Sequence, residues 1–148
     1  MTKPSIRYFD GDYRFLSNFY EQPVVYNGLL FLNSEAAYQS QKCADPNQIH
    51  KFCNLNAGLS KKAGRNVTLR SDWDTHRFIA MMGVLESKFS DPGLKEKLLA
   101  TGDAHLEEGN TWGDRTWGTV DGEGSNYLGE MLMALRAVHA KEKGCGCE

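Results

Sequence analysis

Length, composition and charge restrict the class of protein before any motif is considered. The chain has 148 residues, 41% of them hydrophobic and 24% charged, which is typical of a globular domain and excludes disordered, collagenous and coiled-coil chains. Its 17 Lys and Arg against 19 Asp and Glu give a net charge of −2, which excludes a strongly basic nucleic-acid-binding arm. We find no apolar run of membrane-spanning length and no export signal, so we expect a cytoplasmic protein without a membrane partner.

The predicted elements begin with β structure and continue mainly as helices. The segment Ile6-Arg7-Tyr8-Phe9 is a strand candidate, and Asn27-Gly28 between two apolar runs predicts a β-hairpin with a two-residue turn. Helices are predicted to begin at Glu35 (capped by Asn33 or Ser34), at Pro46 after Asp45, at Ser60, at Ser71 with Asp74 as its capping box, at Pro92 after Asp91, and after Ser125-Asn126. We therefore expect one α+β domain over residues 1–140, mainly helical around a small antiparallel sheet, and a disordered tail over residues 141–148.

Aromatic residues are concentrated near the start of the chain. Nine of the 16 Phe, Trp and Tyr residues lie in the first 40 positions, from Tyr8 to Tyr38. Core packing accounts for some of these rings. Because they alternate with polar residues such as Asp10 and Asn18, they also resemble a wall for a planar ligand.

The first predicted helix carries an acid, a phenol, an amide and an amine on one face. At about 100° per residue, Glu35, Tyr38, Gln39 and Lys42 fall within roughly 100° of one another. Such a face suits proton transfer and nucleophilic catalysis. The alternative is a solvent-facing stripe whose glutamate complements the helix dipole.

Two further segments are candidate binding elements. Trp112 and Trp117 flank Asp114 in a Gly-rich loop, which indicates either a pocket rim or a loop anchored to the core. The run from Gly124 to Gly129 is typical of a phosphate site at a helix N-terminus, or simply of a helix start between glycines. The four cysteines lack metal-ligand spacing, and we expect no metal and no cofactor.

Together these clusters resemble the NADAR family, whose members are also called YbiA-like proteins. The motifs that carry the resemblance are Phe15-Leu16-Ser17-Asn18-Phe19, Ser34-Glu35-Ala-Ala-Tyr38-Gln39-Ser-Gln-Lys42, Ala63-Gly64-Arg65, Thr101-Gly102-Asp103, Asn110 to Gly118, and Asn126-Tyr-Leu128-Gly129 with Leu132-Met133-Ala-Leu-Arg136. The resemblance implies a YbiA-like fold and a hydrolase that cleaves N-glycosidic bonds.

The resemblance also implies two substrates. The first, which we favour, is ADP-ribose attached to guanine in nucleic acid, with a DNA ADP-ribosyltransferase toxin as the genetic partner of an antitoxin. The second is the phosphorylated ribosylamino pyrimidines that are early riboflavin intermediates. A non-catalytic module that binds ADP-ribose or a nucleotide is the alternative from another class.

On this resemblance Glu35, Lys42 and Asp114 are the expected catalytic residues. Neutral Lys42 would attack ribose C1 to give a Schiff base while Glu35 moves protons, and Asp114 would be a second acid or a ribose anchor. A simpler variant uses Glu35 or Asp114 as the base for direct attack by water. The expected substrate-binding residues are Asn18, Phe19, Tyr38, Gln39, Arg65, Trp112, Trp117, Gly118, Ser125 and Asn126, with the rings enclosing the base and Arg65, Ser125 and Asn126 holding phosphate.

Overall fold

The structure, a computed structural model, describes residues 4–145 and is mainly helical. These residues form two compact units: a central unit of residues 18–90, and a terminal unit of residues 4–17 and 91–145. The mainly helical α+β class predicted from the sequence is confirmed. The elements are β1 (Ser5–Ile6), a 3-10 helix (Gly11–Leu16), β2 (Val24–Tyr26), β3 (Leu29–Phe31), α1 (Ser34–Ser40), α2 (Pro46–Ile49), a second 3-10 helix (His50–Phe52), α3 (Ala57–Gly64), α4 (Trp73–Lys88), α5 (Pro92–Ala100), β4 (His105–Leu106) and α6 (Tyr127–Cys145).

The central unit contains the predicted hairpin. Strands β2 and β3 pair antiparallel, and both turn residues, Asn27 and Gly28, have positive φ values of 49° and 80°, as a type I′ turn requires. The hairpin packs with α1 and α4 around a buried apolar cluster that includes Val24, Phe31 and Val84. Burial of these side chains holds α1, which carries the candidate acid, against the rest of the unit.

Two helices of the central unit begin elsewhere than predicted. Helix α3 begins at Ala57 because the side chain of Asn56 accepts a hydrogen bond from Leu59 N at 2.8 Å, so Ser60 lies buried inside the helix. Helix α4 begins at Trp73, two residues after Ser71. The cap residue Asp72 makes no side-chain capping bond, since its carboxylate pairs with Arg70 at 2.6 Å. Several capping residue types stand close together in both places, so the pattern alone could not locate the cap.

The terminal unit joins residues from both ends of the described chain. Strand β1 is shorter than predicted and pairs in parallel with β4, whereas β2 and β3 pair antiparallel. Helix α6 continues to Cys145, five residues past the point where the sequence predicts a disordered tail. The Lys143 ammonium lies in its last turn, where it complements the helix dipole, and contacts Glu96 at 3.4 Å. Cys147 and the rest of 146–148 lie outside the described residues. No helix over 4–145 is long and apolar enough to cross a membrane.

Candidate active site

Helix α1 is the centre of the candidate site in the central unit, and all seven of its residues are buried. The side chain of Asn33 caps the helix by accepting a hydrogen bond from Ala36 N at 2.7 Å. One turn apart on the helix, Gln39 Nε2 donates to Glu35 Oε2 at 2.7 Å. The Glu35 carboxylate is therefore held in a fixed position. Glu35, Tyr38 and Gln39 are all buried, so the alternative of a solvent-facing stripe is excluded for these three residues.

The predicted binding residue Asn18 anchors the start of α1. Its carbonyl oxygen accepts from Glu35 N at 3.1 Å, and its Oδ1 accepts from Ser34 Oγ at 2.9 Å. Its Nδ2 donates to Met81 Sδ at 3.4 Å. Because the Asn18 side chain is buried and occupied by these bonds, its contribution to the site is to position α1.

Lys42 lies just beyond α1, which ends at Ser40, and not on the predicted helical face. The chain leaves the helix there because Lys42 O accepts from Arg70 N at 2.8 Å and Ala44 N donates to Thr68 O at 2.9 Å, which together form a short strand-like ladder.

The Lys42 amine is half-buried beside one acid and two other cations. Burial lowers its pKa from the ordinary value of 10.5. The Glu35 carboxylate opposes this shift, while Arg65 and Lys61 lower the pKa of Lys42 further. Glu35, Arg65 and Lys61 therefore lie near the Lys42 amine, and the catalytic and binding roles expected of these residues stay predictions. An amine with a lowered pKa is neutral, and therefore nucleophilic, in a larger fraction of molecules near neutral pH.

Two aromatic residues of the central unit, both expected to bind substrate, differ in how exposed they are. The Phe19 ring is 38% exposed, with Lys61 Nζ 5.9 Å from its centroid, so it is open to a ligand. The Tyr38 ring is 5% exposed and packs against Trp73 with ring centroids 5.4 Å apart. Tyr38 is therefore mainly a packing residue.

Gly64 also shapes the site, although the sequence indicates it only as part of the Ala63-Gly64-Arg65 motif. A Cβ at this position would collide with Gln39 Oε1 and lie 2.8 Å from Gln39 Cδ. The absence of a side chain at Gly64 thus gives Gln39 the space in which it holds Glu35. The signal available in the sequence was a glycine at the end of a helix, beside Arg65.

The second group of predicted residues lies in the terminal unit, on the loop before α6. Buried Asn110 organises this loop. Its Oδ1 accepts from Asp114 N at 3.0 Å, and its Nδ2 donates to Asp114 O at 2.8 Å and to Thr119 O at 3.1 Å. Asp114 Oδ1 in turn accepts from the amides of Thr116 and Trp117 at 3.0 and 2.9 Å. One carboxylate oxygen of Asp114 is therefore committed to the loop.

Gly118 is needed because the loop backbone passes close to it. A Cβ there would collide with the carbonyl oxygen of Glu108 and lie 2.9 Å from Asn110 Nδ2. The two tryptophans of the loop differ. Trp112 is 61% exposed, whereas Trp117 is partly buried and packs edge to face on Tyr127 with ring centroids 6.2 Å apart.

The predicted phosphate site at the start of α6 is occupied by the protein itself. The amides of Ser125, Tyr127 and Leu128 donate to the carbonyl oxygens of residues 115, 116 and 117 at 2.8 to 3.2 Å. Buried Asn126 donates to Leu106 O at 2.9 Å and accepts from Glu108 N at 3.0 Å. The helix start therefore anchors the loop, and the expected phosphate contacts of Ser125 and Asn126 are not supported, because a sequence pattern does not show which amides are already bonded.

The predicted site residues in both units are mainly acids, amines and amides. Among the described residues, no three His, Cys, Asp or Glu side chains are arranged to hold a metal ion. The chain thus combines a mainly helical α+β fold with a buried carboxylate and a neighbouring lysine whose pKa is lowered.

Comparison with known proteins identifies the family. The NADAR domain matches residues 7–138, and the chain belongs to this family. It is 34% identical over 137 residues to the protein named N-glycosidase YbiA of Escherichia coli (strain K12), covering 89% of this chain and 85% of the relative. The NMR structure of the E. coli protein YbiA is similar, with a TM-score of 0.86 and 32% identity over 97% of this chain and 89% of that one.

Relatives with another name match smaller parts of longer proteins. The riboflavin biosynthesis protein VVA0006 of Vibrio vulnificus (strain YJ016) is 34% identical over 132 residues, which are 86% of this chain and 36% of the relative. The chloroplastic riboflavin biosynthesis protein PYRR of Arabidopsis thaliana is 39% identical over 82 residues, 54% of this chain and 14% of the relative.

Proposed function

We propose that this protein is an N-glycosidase that hydrolyses the bond between ribose C1 and an exocyclic amine of a heterocyclic base. The observation that carries the proposal is the half-buried Lys42 amine of lowered pKa next to the buried Glu35 carboxylate. Relatives named N-glycosidases, which match most of the chain, support the same reaction class.

The exocyclic amine makes a lysine nucleophile chemically suitable. Protonation of the ribose ring oxygen opens the sugar, and the lone pair of the exocyclic nitrogen forms a C1=N iminium to the base. The neutral Lys42 amine adds to C1, the base nitrogen takes a proton, and the C1–base bond breaks to leave an imine between C1 and Nζ. Water then hydrolyses that imine, which returns the free amine and releases the ribose aldehyde.

Glu35 is the proton carrier in this scheme. Its carboxyl group delivers a proton to the ring oxygen or the leaving amine and recovers one from the attacking water. The hydrogen bond from Gln39 Nε2 at 2.7 Å holds the carboxylate on α1 while protons move. Burial lowers the pKa of Lys42 and so increases the fraction of neutral amine that can attack C1.

The cations around Lys42 suit a phosphorylated substrate. Arg65 and Lys61 are close enough to lower the pKa of Lys42, and Lys61 also lies over the exposed Phe19 ring. A phosphate group bound by these two side chains would lie beside the exposed Phe19 ring, which can then contact the base. This arrangement fits both candidate substrates, since each carries phosphate on its ribose.

Two substrates follow from this chemistry. We propose guanine-linked ADP-ribose in nucleic acid as the first, on the family resemblance. The ribosylamino pyrimidine phosphates are the second candidate, and the relatives named as riboflavin biosynthesis proteins favour it. The C1–exocyclic amine bond is common to both.

A side-by-side assay tests the proposal. The protein is incubated separately with DNA carrying ADP-ribosylated guanine and with a ribosylamino pyrimidine phosphate, and released ADP-ribose or free base is measured by chromatography. We expect release from at least one substrate, at least about 100-fold slower in Lys42→Ala and Glu35→Gln, the range in which general acid–base groups contribute. Lys141→Ala and Glu130→Gln, both at exposed positions on α6, are the matched controls. Binding of either substrate without any release would contradict the proposal and support a non-catalytic module.

A further inference from the structure

The backbone of Lys42 is held from two sides, although this residue belongs to no helix or strand. On one side its amide donates to Gln39 O in the last turn of α1 at 3.2 Å. On the other side its carbonyl oxygen accepts from Arg70 N at 2.8 Å. The first bond ties Lys42 to the helix that carries Glu35. The position of Lys42 relative to Glu35 therefore also depends on how firmly Arg70 is fixed.

The segment that holds Lys42 on this second side, residues 68–70, buries little apolar surface of its own. The side chains of Thr68 and Leu69 are exposed, and Leu69 is 52% exposed. The segment pairs with the chain after α1 through the Arg70 bond and through Ala44 N, which donates to Thr68 O at 2.9 Å. A segment with few buried apolar contacts opens easily unless polar contacts hold it.

Arg70 is bonded through its amide, its carbonyl group and its side chain. Its amide donates to Lys42, its carbonyl oxygen accepts from Trp73 N at 3.2 Å, and its guanidinium binds the Asp72 carboxylate. The ion pair is bidentate, with Nε 2.6 Å from Oδ1 and Nη2 3.2 Å from Oδ2. Most exposed ion pairs contribute little, but a bidentate pair between residues two positions apart fixes the geometry of the turn that contains them.

The turn is also tied back to α1. Trp73 is 8% exposed, and its ring packs against the Tyr38 ring of α1 with centroids 5.4 Å apart. The contacts therefore form a closed circuit that runs from α1 through Lys42, Arg70 and Trp73 and back to α1. A closed circuit restricts the backbone of Lys42 more than the bond to Gln39 alone, because movement at one point is opposed by every other contact.

At Asp72 this ion pair replaces a helix cap. Asp72 occupies the N-cap position of α4, where an aspartate usually accepts a hydrogen bond from an amide of the first turn, and its side chain makes no such bond. Departures from such local rules are expected at functional sites. Here the carboxylate that leaves the helix without a side-chain cap fixes the residue that holds Lys42.

We propose that Arg70 and Asp72 are positioning residues for the Lys42 nucleophile. Their ion pair fixes the turn whose amide holds the Lys42 carbonyl group, so both residues act through the backbone of Lys42 without touching the substrate. The inference rests on the proposed function, since the position of Lys42 affects the rate only if its amine reacts. Small displacements of a reacting group lower the rate strongly, by about 100-fold for about 1 Å in unfavourable cases.

Asp72→Asn separates positioning from stability. Asparagine removes the charge pair but caps a helix as well as aspartate does, so we expect the midpoint of urea unfolding to stay the same or to rise. We expect kcat to fall by about three- to fivefold, as loss of one exposed ion pair corresponds to, with KM nearly unchanged. Asp74→Asn, the same charge change at an exposed position in the first turn of α4, is the matched control.

Hydrogen exchange of the full chain, followed by NMR, gives a second readout. We expect the Arg70 amide, the donor to Lys42 O, to exchange about three- to fivefold faster in Asp72→Asn and at the wild-type rate in Asp74→Asn. Arg70→Gln should reproduce both effects and add little in the Asp72→Asn background.

An unchanged kcat in both Asp72→Asn and Arg70→Gln, or a lower kcat without faster exchange of the Arg70 amide, would overturn the positioning role. The two proposals fail in different ways. Absence of base release by the wild type contradicts the N-glycosidase, whereas normal release by both variants contradicts only the role of Arg70 and Asp72.

Discussion

At the residue scale, the reactivity of one amine depends on the charges around it. The pKa of Lys42 is lowered by burial, raised by Glu35, and lowered by Arg65 and Lys61. The fraction of neutral amine therefore responds to substitutions that never touch the substrate's reacting carbon. Each neighbour's contribution can be measured through the pH profile of the reaction.

Lys61→Gln removes a positive charge that disfavours protonation of Lys42. The pKa of Lys42 rises, so the pH at which kcat/KM reaches half of its plateau moves to higher values. The midpoint is read from kcat/KM measured between pH 5 and 10. The neighbouring Lys62→Gln, at an exposed position on the same helix, is the control. A midpoint that moves to lower pH in Lys61→Gln would contradict the assignment of Lys42 as the titrating group.

Gly64→Ala tests the packing that holds Glu35. The added methyl group collides with Gln39 Oε1, so the Gln39–Glu35 hydrogen bond is lost and kcat/KM falls by about tenfold or more. Gly58→Ala in the same helix is the control, because its Cβ would meet only Asn56 Oδ1 at 3.6 Å while it gains similar helix propensity.

A double-mutant cycle with Gln39→Ala shows whether Gly64 acts through Gln39. In the Gln39→Ala background the Oε1 and Cδ atoms with which the new methyl group collides are absent. We therefore expect Gly64→Ala to have little further effect on kcat/KM. Full additivity of the two substitutions would show that Gly64 acts by another route.

At the scale of elements, the loop before α6 depends on one amide side chain. Asn110 is 6% exposed and bonds to the backbone of Asp114 and Thr119. Asn110→Ala leaves several of these groups without partners, so we expect the free energy of unfolding to fall by about 2–3 kcal/mol. Urea denaturation measures it, with exposed Thr111→Ala as the control. A loss below about 0.5 kcal/mol would mean that the loop is held by other contacts.

Elements defined by local rules could be predicted from the sequence. The Asn27-Gly28 turn and the starts of α2 and α5 depend on residues next to each other in the chain, and the side chains of Asp45 and Asp91 cap their helices as expected. Helix α3 was predicted with the wrong start, because both Asn56 and Ser60 are capping types; Asn56 makes the capping bond and Ser60 is buried inside the helix.

For the candidate site, the sequence indicates which residue types lie close together, but it does not indicate most of the contacts they make. The proximity of Glu35 and Lys42 follows from their spacing, although Lys42 lies beyond the end of α1. The packing of Tyr38 on Trp73, and the pairing of the Leu128 amide with the loop, depend on residues at least eleven positions away in sequence. No local pattern contains such contacts.

At the scale of the whole molecule, stability depends on a lysine outside the candidate site. Lys88 is 1% exposed, and burial lowers its pKa from 10.5 to about 7. Between these two values the unfolded chain binds a proton that the folded chain does not, so this group makes stability rise with pH, by up to about 1.4 kcal/mol per unit.

Lys88→Met isolates this contribution. We expect the difference in unfolding free energy between the wild type and Lys88→Met to change between pH 7 and 10, in the direction that favours the wild type as pH rises. Denaturant unfolding at several pH values measures it. A difference that stays constant over this range would show that Lys88 keeps an ordinary pKa in the folded protein.

The proposed mechanism requires a covalent bond between the substrate and Lys42, and reductive trapping tests for this bond most directly. The protein is mixed with the cleaved substrate in the presence of sodium borohydride, which reduces an imine to a stable secondary amine, and the product is located by peptide mass spectrometry. We predict a ribosyl adduct on Lys42 in the wild type, and none in Lys42→Ala. Continued release of base with no adduct on Lys42 would contradict the proposed mechanism and favour direct attack by water.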